Sequence, residues 1–245
     1  MNTLKEKEKL NKLLDILKDF SQKDIEKLEK LDRQYRALEK LYKNLKDEKL
    51  FFKLVLINAL MSYQLQMKGE DYWEIFSKFF SENQNINDFE RFITLYNKRF
   101  LNAKIKRLKK VISCVEKLFN FYCIKHFEKN LYLLIKKLST CLSQKEDAKT
   151  IVFAAKMFMY AYKIVYNKKP KGLENIFIPL DVRLLKISKN KDFWLNLFKN
   201  TNFSPIELDV LLWVPQNLDK KTLNSLDENL RKKIERFIAF LNAIK

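Results

Sequence analysis

Glycine is nearly absent from this sequence, and its scarcity excludes several classes of enzyme. Only two glycines, Gly69 and Gly172, occur in 245 residues, together with four prolines. Neither the G-x-G-x-x-G turn of dinucleotide-binding folds nor a Walker phosphate loop can be written with two glycines so far apart. Few helix breakers among abundant Leu, Lys, Glu and Ile favour long helices joined by short polar turns. We therefore expect an all-α fold without a nucleotide cofactor of those types.

Cysteine and histidine are also scarce, which excludes the common metal centres. Cys114, Cys123 and Cys141 are widely spaced and form no C-x-x-C pair, and His126 is the single histidine. Zinc and iron–sulfur sites need several such ligands at close spacing. We expect reduced cysteines in the core, no disulfide framework, no metal or iron–sulfur cluster and no cofactor.

Long apolar runs are missing as well. The first residues, MNTLKEKEKL, lack the apolar stretch of a signal peptide. The longest apolar segment, from 151 to 166, is short for a membrane span and contains lysines. We expect no contact with a membrane and an intracellular, cytoplasmic protein.

Positive charge, by contrast, is abundant. There are 49 Lys and Arg against 30 Asp and Glu, which gives a formal net charge of +19. Nucleic acid is the natural partner of such a chain, although an AT-rich genome or a thermophilic habit also enriches lysine. The densest basic run, from 98 to 110, lies on a predicted helix whose apolar side is anchored. Its charges form either a solvated helix face or a ridge that follows phosphates.

Capping signals divide the chain into helices, and 47% hydrophobic content is enough for a full core, as one large domain or two closely packed halves. Asp32 is a predicted N-cap. Gly69 is expected to end a helix that begins at Leu50, with Glu70 or Asp71 capping the next one. Ser204, followed by proline and then by glutamate at the third helical position, predicts a capping box.

The segment from 149 to 166 is the most informative part of the sequence. Its only charges are Lys149, Lys156 and Lys163, spaced by seven. On a helix they share one stripe with Phe153 and Tyr160, while the other faces are almost wholly apolar. Such a helix is buried on most sides, and its polar stripe looks into solvent, a cleft or a ligand. In a cleft, Lys149 would be a candidate nucleophile.

Two later acids are further candidates. Asp181 follows Pro179 and stands where an N-cap would precede an apolar-periodic helix, so capping alone would explain it. Asp209 and Trp213 are four apart on the next predicted helix and share a face. An acid beside an indole can bind a flat polar ligand, or the two side chains can simply pack against each other.

Five segments together carry a resemblance to a known family. A lysine opens an apolar helix, and thirty-two residues later an aspartate caps a helix within I-P-x-D-x-R, as in helix-hairpin-helix DNA glycosylases with lyase activity. The segments are DRQYRA from Asp32, GEDYWE from Gly69, KTIVF from Lys149, IPLDVR from Ile178 and LDVLLW from Leu208. In this order they resemble the archaeal GO glycosylase, a family that excises 8-oxoguanine.

The resemblance implies a fold and an activity. The fold would be all-α, with two packed, interleaved helical subdomains, the active-site cleft between them and the helix-hairpin-helix around 128–165, all within one glycosylase domain over 1–245. The activity would be that of a bifunctional DNA glycosylase and AP lyase of base excision repair, acting as a monomer on DNA that contains 8-oxoguanine. The same chemistry on another damaged base, or a non-catalytic nucleic-acid-binding role, are the alternatives.

The resemblance also implies the site residues. Lys149 would be the nucleophile that forms a Schiff base with the sugar, and Asp181 would stabilise the cationic transition state. The residues implied to bind the base are Gln34, Trp73, Phe153, Lys156, Asp209 and Trp213. One departure concerns the hairpin from 138 to 148, which contains no glycine, so its phosphate contacts would depend on Lys145 and other lysines rather than on backbone amides.

Overall fold

The structure, a computed structural model, describes residues 2–244, with side chains from Lys5 onward. Within that range the chain is helical and without strands, which confirms the all-α prediction. The α-helices are α1 (Asn2–Leu17), α2 (Gln22–Leu31), α3 (Arg33–Asn44), α4 (Glu48–Met61), α5 (Gly69–Glu82), α6 (Phe89–Tyr96), α7 (Leu101–Phe121), α8 (Tyr132–Leu142), α9 (Lys149–Tyr166), α10 (Leu184–Ile187), α11 (Lys191–Lys199), α12 (Pro205–Trp213), α13 (Lys220–Asn224) and α14 (Glu228–Ala243). No helix in this range is both long enough and apolar enough to cross a membrane.

The chain forms two compact units. The central unit is the continuous stretch Asp32–Pro179, which contains α3 to α9. The terminal unit combines the two ends of the chain, Met1–Leu31 and Leu180–Lys245, and contains α1, α2 and α10 to α14. The predicted site residues are therefore divided between a continuous unit and a discontinuous one.

The central unit is built around α4 and α9, which pack along each other. Both helices are buried on nearly all sides because their sequences are almost wholly apolar, and Phe52 of α4 meets Phe158 of α9 with ring centroids 5.0 Å apart. The amphipathic α3 packs on α5 and also reaches α9. This arrangement brings the beginnings of α3 and α5 to α9, where the candidate site lies.

The terminal unit is held together by pairs of helices from its two segments. Helix α1 packs on α14, and α2 packs on α12. An ion pair of 2.8 Å joins Lys233 of α14 to the buried Asp24 of α2. Eight of the nine residues of α12 are buried, so this helix is the core of the unit.

Two of the predicted caps are confirmed. The side chain of Asp32 accepts the Gln34 N–H at 2.8 Å. Ser204 and Glu207 form the predicted capping box, in which Glu207 accepts the Ser204 N–H at 3.0 Å and Ser204 Oγ accepts the Glu207 N–H. Local sequence is sufficient for these caps because each bond spans only two or three residues.

The prediction around Gly69 is wrong. Helix α4 already ends at Met61, and Gly69 is the first residue of α5, preceded by Lys68 at the N-cap position without a side-chain cap bond. A Cβ at Gly69 would lie 3.4 Å from Gln34 Nε2, in ordinary van der Waals contact, because the beginning of α5 packs on α3. A local sequence pattern does not show this packing.

The prediction of three reduced core cysteines is also wrong. Cys114 of α7 and Cys141 of α8 form a disulfide, with Cα atoms 5.9 Å apart. Cys123 is free and exposed. The pairing follows from the packing of α8 on α7, which brings together residues separated by 27 positions.

Candidate active site

Helix α9 carries the candidate nucleophile and the polar stripe predicted from the sequence. Lys149 is its first residue and is exposed, Phe153 is half-buried, and Lys156 and Tyr160 are buried. The stripe therefore runs from solvent at the beginning of the helix into the protein within three turns. A lysine at the first residue of a helix also lies beside free backbone N–H groups and the positive end of the helix dipole.

The beginning of α3 lies against the middle of this stripe. The second oxygen of the Asp32 carboxylate accepts a hydrogen bond from the Tyr160 hydroxyl at 3.0 Å, so the cap of α3 is tied to α9. Burial raises the pKa of the Asp32 carboxyl above its ordinary value, and the positive charge of Lys156 opposes that effect. Gln34, two residues after the cap, is 4% exposed, and the cap fixes its position.

The beginning of α5 supplies the third side of the site. Trp73 is fully buried, and its ring meets Phe153 edge to face with centroids 6.1 Å apart and an interplanar angle of 72°. Glu70, one turn earlier on the same helix, is 4% exposed. Gln34, Trp73, Phe153 and Lys156 are therefore brought together in the central unit, close to the helix that begins at Lys149.

Several buried polar atoms on α3 and α5 lack a hydrogen-bond partner among residues 5–244. Besides the Tyr72 hydroxyl, they are Gln34 Oε1, Trp73 Nε1 and both carboxylate oxygens of Glu70. Leaving such a group buried and unpaired costs about 1–3 kcal/mol, so several of them at the beginnings of two adjacent helices are unusual for a folded protein. The four atoms of Gln34, Glu70 and Trp73 make this place the candidate site for a polar ligand.

The hairpin before α9 is held by α7. Arg107 Nη2 donates to Gln144 Oε1 at 3.0 Å and to Thr150 Oγ1 at 3.3 Å, so one guanidinium contacts both the hairpin and the first turn of α9. Ser143 has a left-handed backbone with φ of 53° at the end of α8, where glycine is the usual residue. The hairpin is thus supported by side-chain contacts instead of a glycine-rich turn.

The basic side chains of α7 do not all face solvent, so they do not form the continuous ridge that was one of the two expectations from the sequence. Lys104 is completely buried and donates to the backbone oxygens of Gln64 and Asn97, each at 3.3 Å. Burial lowers the pKa of its ammonium group to about 8. Lys106 and Lys109 remain exposed. Lys104 precedes the buried Leu108 by four residues and lies on the same face of α7. This spacing could have predicted that the Lys104 side chain points into the core.

The terminal unit holds the other predicted site residues. Asp181 Oδ1 accepts the N–H groups of Arg183 and Leu184, both at 2.9 Å, so Asp181 caps the turn that leads into α10, two residues before the N-cap position at Arg183. The guanidinium of Arg183 lies over the Trp213 ring, 3.9 Å from its centroid. Asp209, one turn before Trp213 on α12, is 4% exposed. Sequence reasoning did not assign the contact between Arg183 and Trp213.

Among the described residues, no group of three or more His, Cys, Asp or Glu side chains is arranged to hold a metal ion.

Comparisons with known proteins give one consistent result. The family model for AGOG, N-glycosylase/DNA lyase, matches residues 14–243. The chain is 37% identical over 241 residues to an N-glycosylase/DNA lyase of Methanococcus maripaludis, covering 91% of this chain and 95% of that protein. It is 41% identical over 217 residues to the protein of the same name from Nanoarchaeum equitans, covering 85% and 93%. Its fold matches the crystal structure of an 8-oxoguanine DNA glycosylase from Pyrobaculum aerophilum in complex with 8-oxoguanosine, with a TM-score of 0.77, 25% identity and coverage of 94% and 97%.

Proposed function

Because this chain belongs to the AGOG family of N-glycosylase/DNA lyases, we propose that the base it excises from DNA is 8-oxoguanine. The observation that carries the proposal is that Gln34 Oε1 and the Trp73 indole N–H are both buried and have no hydrogen-bond partner among the described residues. Oxidised guanine has an N–H at N7, whereas guanine has an acceptor there. A buried amide oxygen fits the first and leaves two acceptors facing each other with the second.

Lys149 is the proposed nucleophile. Its neutral amine attacks C1′ of the flipped nucleotide, the bond from C1′ to N9 breaks, and the base leaves with the electron pair and takes up a proton. Opening of the sugar gives a Schiff base between C1′ and Nζ. Removal of a proton from C2′ then expels the 3′ phosphate, which breaks the strand. The exposed position of Lys149 at the first residue of α9 supports this role.

Asp181 is proposed to stabilise the positive charge that develops on the sugar. Both of its cap bonds use Oδ1, so the cap fixes the orientation of the carboxylate without consuming Oδ2. Electrostatic and acid–base contributions of this kind are typically worth about 10² to 10⁴ in rate. Capping and catalysis are therefore compatible roles for one side chain.

The remaining contacts of the base follow the family resemblance. Phe153 and Trp213 are proposed to supply stacking surfaces, and Lys156 and Asp209 polar contacts. The Trp73 indole N–H is proposed to donate to a carbonyl oxygen of the base. The buried positions of Trp73, Lys156 and Asp209 support these roles.

DNA is proposed as the macromolecular partner of a monomeric, cytoplasmic enzyme. The net charge of +19 supports phosphate binding. The exposed lysines of α7, Lys106, Lys109 and Lys110, and Lys145 in the hairpin are available for phosphate contacts. A DNA substrate is consistent with a location in the cytoplasm.

Borohydride trapping tests the nucleophile and the substrate together. We expect the wild-type protein, mixed with a duplex that contains one 8-oxoguanine, to become covalently attached to the DNA, and Lys149→Gln to give no adduct. Lys129→Gln, which alters an exposed lysine outside the proposed site, should be trapped as well as wild type. Trapping of Lys149→Gln at the wild-type level, or no trapping of wild type, would contradict the mechanism.

Asp181→Asn separates catalysis from capping, because asparagine also caps helices. Single-turnover release of 8-oxoguanine should fall by at least about tenfold, while the melting temperature stays close to that of wild type. Unchanged release would leave Asp181 with capping alone.

A panel of other damaged bases in the same duplex tests the substrate. Faster release of another lesion would replace 8-oxoguanine as the proposed substrate.

A further inference from the structure

Glu70 is a buried acid that the proposed mechanism does not use, and it does not cap α5 as expected from the sequence, because Lys68 holds the N-cap position. It is 4% exposed, and neither of its oxygens has a hydrogen-bond donor within the described part of the chain. The helix dipole explains an acid near the beginning of α5, but not its burial. Asp71, the next residue, shows the ordinary arrangement, since it is half-buried and forms a 2.7 Å ion pair with Arg33.

The surroundings of Glu70 place it among the residues proposed to bind the base. It follows Gly69, at which an added Cβ would lie 3.4 Å from Gln34 Nε2, and it precedes Trp73 by three residues, so both side chains lie on the same face of α5. Glu70 and Lys156 both act electrostatically on the Asp32 carboxyl. The adjacent beginnings of α3 and α5 thus carry the unpaired atoms of Glu70, Gln34 and Trp73, which we call the polar cluster of the central unit.

The donors and acceptors of this cluster match the edge of an oxidised guanine in number and kind. Around that edge the base presents N7–H, the carbonyl O6, N1–H and the 2-amino group, which are a donor, an acceptor and two donors. The unpaired atoms of Gln34, Trp73 and Glu70 are one amide oxygen, one indole N–H and two carboxylate oxygens, which are an acceptor, a donor and two acceptors. With Gln34 facing N7–H and Trp73 facing O6, the group that faces N1–H and the 2-amino group must offer two acceptors side by side, as a carboxylate does.

We propose that Glu70 is a specificity-determining residue whose carboxylate accepts N1–H and one 2-amino N–H of the flipped base. This assignment rests on the proposed function, because it requires a guanine-type base in the site. Glu70 thereby selects for the guanine edge, while Gln34 selects for the oxidised form. A base with an acceptor at N1, such as adenine, would leave the carboxylate unpaired and be rejected.

Glu70→Gln tests the assignment with little change in volume. One oxygen becomes an amide donor, which faces the 2-amino group and repels it. We expect single-turnover release of 8-oxoguanine to fall about 100-fold, as for other losses of a buried polar contact to substrate. Cleavage of a preformed abasic site should stay at the wild-type rate, because that substrate has no base. The melting temperature should be unchanged or higher, because the variant removes a buried carboxylate that has no partner before the base is bound.

A base without the 2-amino group sharpens the test. With 8-oxohypoxanthine in the duplex, the amide oxygen of the variant can still accept N1–H, and its NH2 group meets only a C–H. Glu70→Gln should therefore release 8-oxohypoxanthine within about threefold of the wild-type rate, so that the loss is specific to 8-oxoguanine. Glu82→Gln, an exposed acid at the other end of α5, is the matched control and should release both bases like wild type.

Each outcome decides between the two proposals. Unchanged release of 8-oxoguanine by Glu70→Gln, or an equal loss for both bases, overturns the role of Glu70 alone. A parallel fall in abasic-site cleavage and melting temperature also overturns it, because those changes would show a structural role. A wild-type enzyme that cleaves abasic sites but releases no 8-oxoguanine overturns the proposed substrate and, with it, the role of Glu70.

Discussion

The two halves of α9 lie in different chemical surroundings, although both are buried. Along the second half, three tyrosines each donate to a carboxylate: Tyr160 to Asp32, Tyr162 to Glu128 and Tyr166 to Glu48. Trp73 meets Phe153 of the first half, and its indole N–H, like atoms of Gln34 and Glu70, has no partner among the described residues. The difference separates two kinds of buried polar group: paired groups stabilise the fold, and the unpaired ones are those that we propose to bind the base.

Burial favours this division of roles within the helix. It raises the pKa of the Tyr162 and Tyr166 hydroxyls, and the hydrogen bonds to Glu128 and Glu48 raise it further, so both phenols remain protonated donors. A permanent internal donor needs no ligand. Gln34, Glu70 and Trp73, in contrast, have buried polar atoms without a hydrogen-bond partner among the described residues, and we propose that the base supplies those partners.

The largest expected effect is on the unpaired side. Replacement of Gln34 by Met keeps a flexible side chain of similar length but removes the amide, so single-turnover release of 8-oxoguanine should fall at least about 100-fold. Cleavage of a preformed abasic site and the melting temperature should change little, because Gln34 Oε1 has no internal partner to lose among the described residues. Gln66→Met, at an exposed position, is the control. Equal losses in base release and abasic-site cleavage would show that Gln34 does not act specifically on the base, which would contradict its proposed role.

A smaller effect, and one on stability only, is expected on the paired side. Tyr162→Phe removes the donor to Glu128, which keeps an ion pair with Lys168. Urea unfolding should show a loss of about 1 kcal/mol in the free energy of unfolding, while the rate of base release per folded molecule is unchanged. Tyr96→Phe, at a half-buried position, should be nearly neutral. If Tyr162→Phe slowed base release without a loss of stability, the second half of α9 would belong to the active site.

A third expected effect is on the pH dependence of stability and concerns Lys104, a buried cation that is hydrogen-bonded to the backbone oxygens of Gln64 and Asn97. Its pKa falls from 10.5 to about 8 in the folded state, because burial and the nearby Arg99 disfavour its charge. Between these values the unfolded chain binds more protons than the folded one, so the free energy of unfolding should rise with pH from about 8 to 10.5, by at most about 1.4 kcal/mol per pH unit. Lys104→Met should lose this slope, and the exposed Lys106→Met should keep it. Identical slopes in Lys104→Met and wild type would refute the assignment.

The sequence was sufficient where the deciding contacts are local. The caps at Asp32 and Ser204 and the stripe of α9 depend on residues two to seven positions apart, and each is present as predicted. The five family segments also led to the correct family. Within these segments, however, the roles of Lys149, Asp181 and the base-binding residues remain predictions.

The sequence was insufficient where distant packing decides. The pairing of Cys114 with Cys141, the place of Gly69 at the beginning of α5 and the inward turn of Arg107 all depend on which helices meet. Glu70 is the clearest case, because it looks like an ordinary helix-start acid until its burial is known. Its lack of a partner is a property of three helices together.

The discontinuous terminal unit has a consequence for synthesis on the ribosome. The central unit is one continuous stretch, Asp32–Pro179, so it can fold as soon as it has emerged. Helices α1 and α2 emerge before it but complete their packing only with α14 and α12, and Arg236 of α14 pairs with Asp15 and Asp19, which precede α2. The residues of α1 and α2 therefore leave the ribosome before the central unit but reach their native contacts only after α12 and α14 have been made, and until then their apolar faces lack their partner helices.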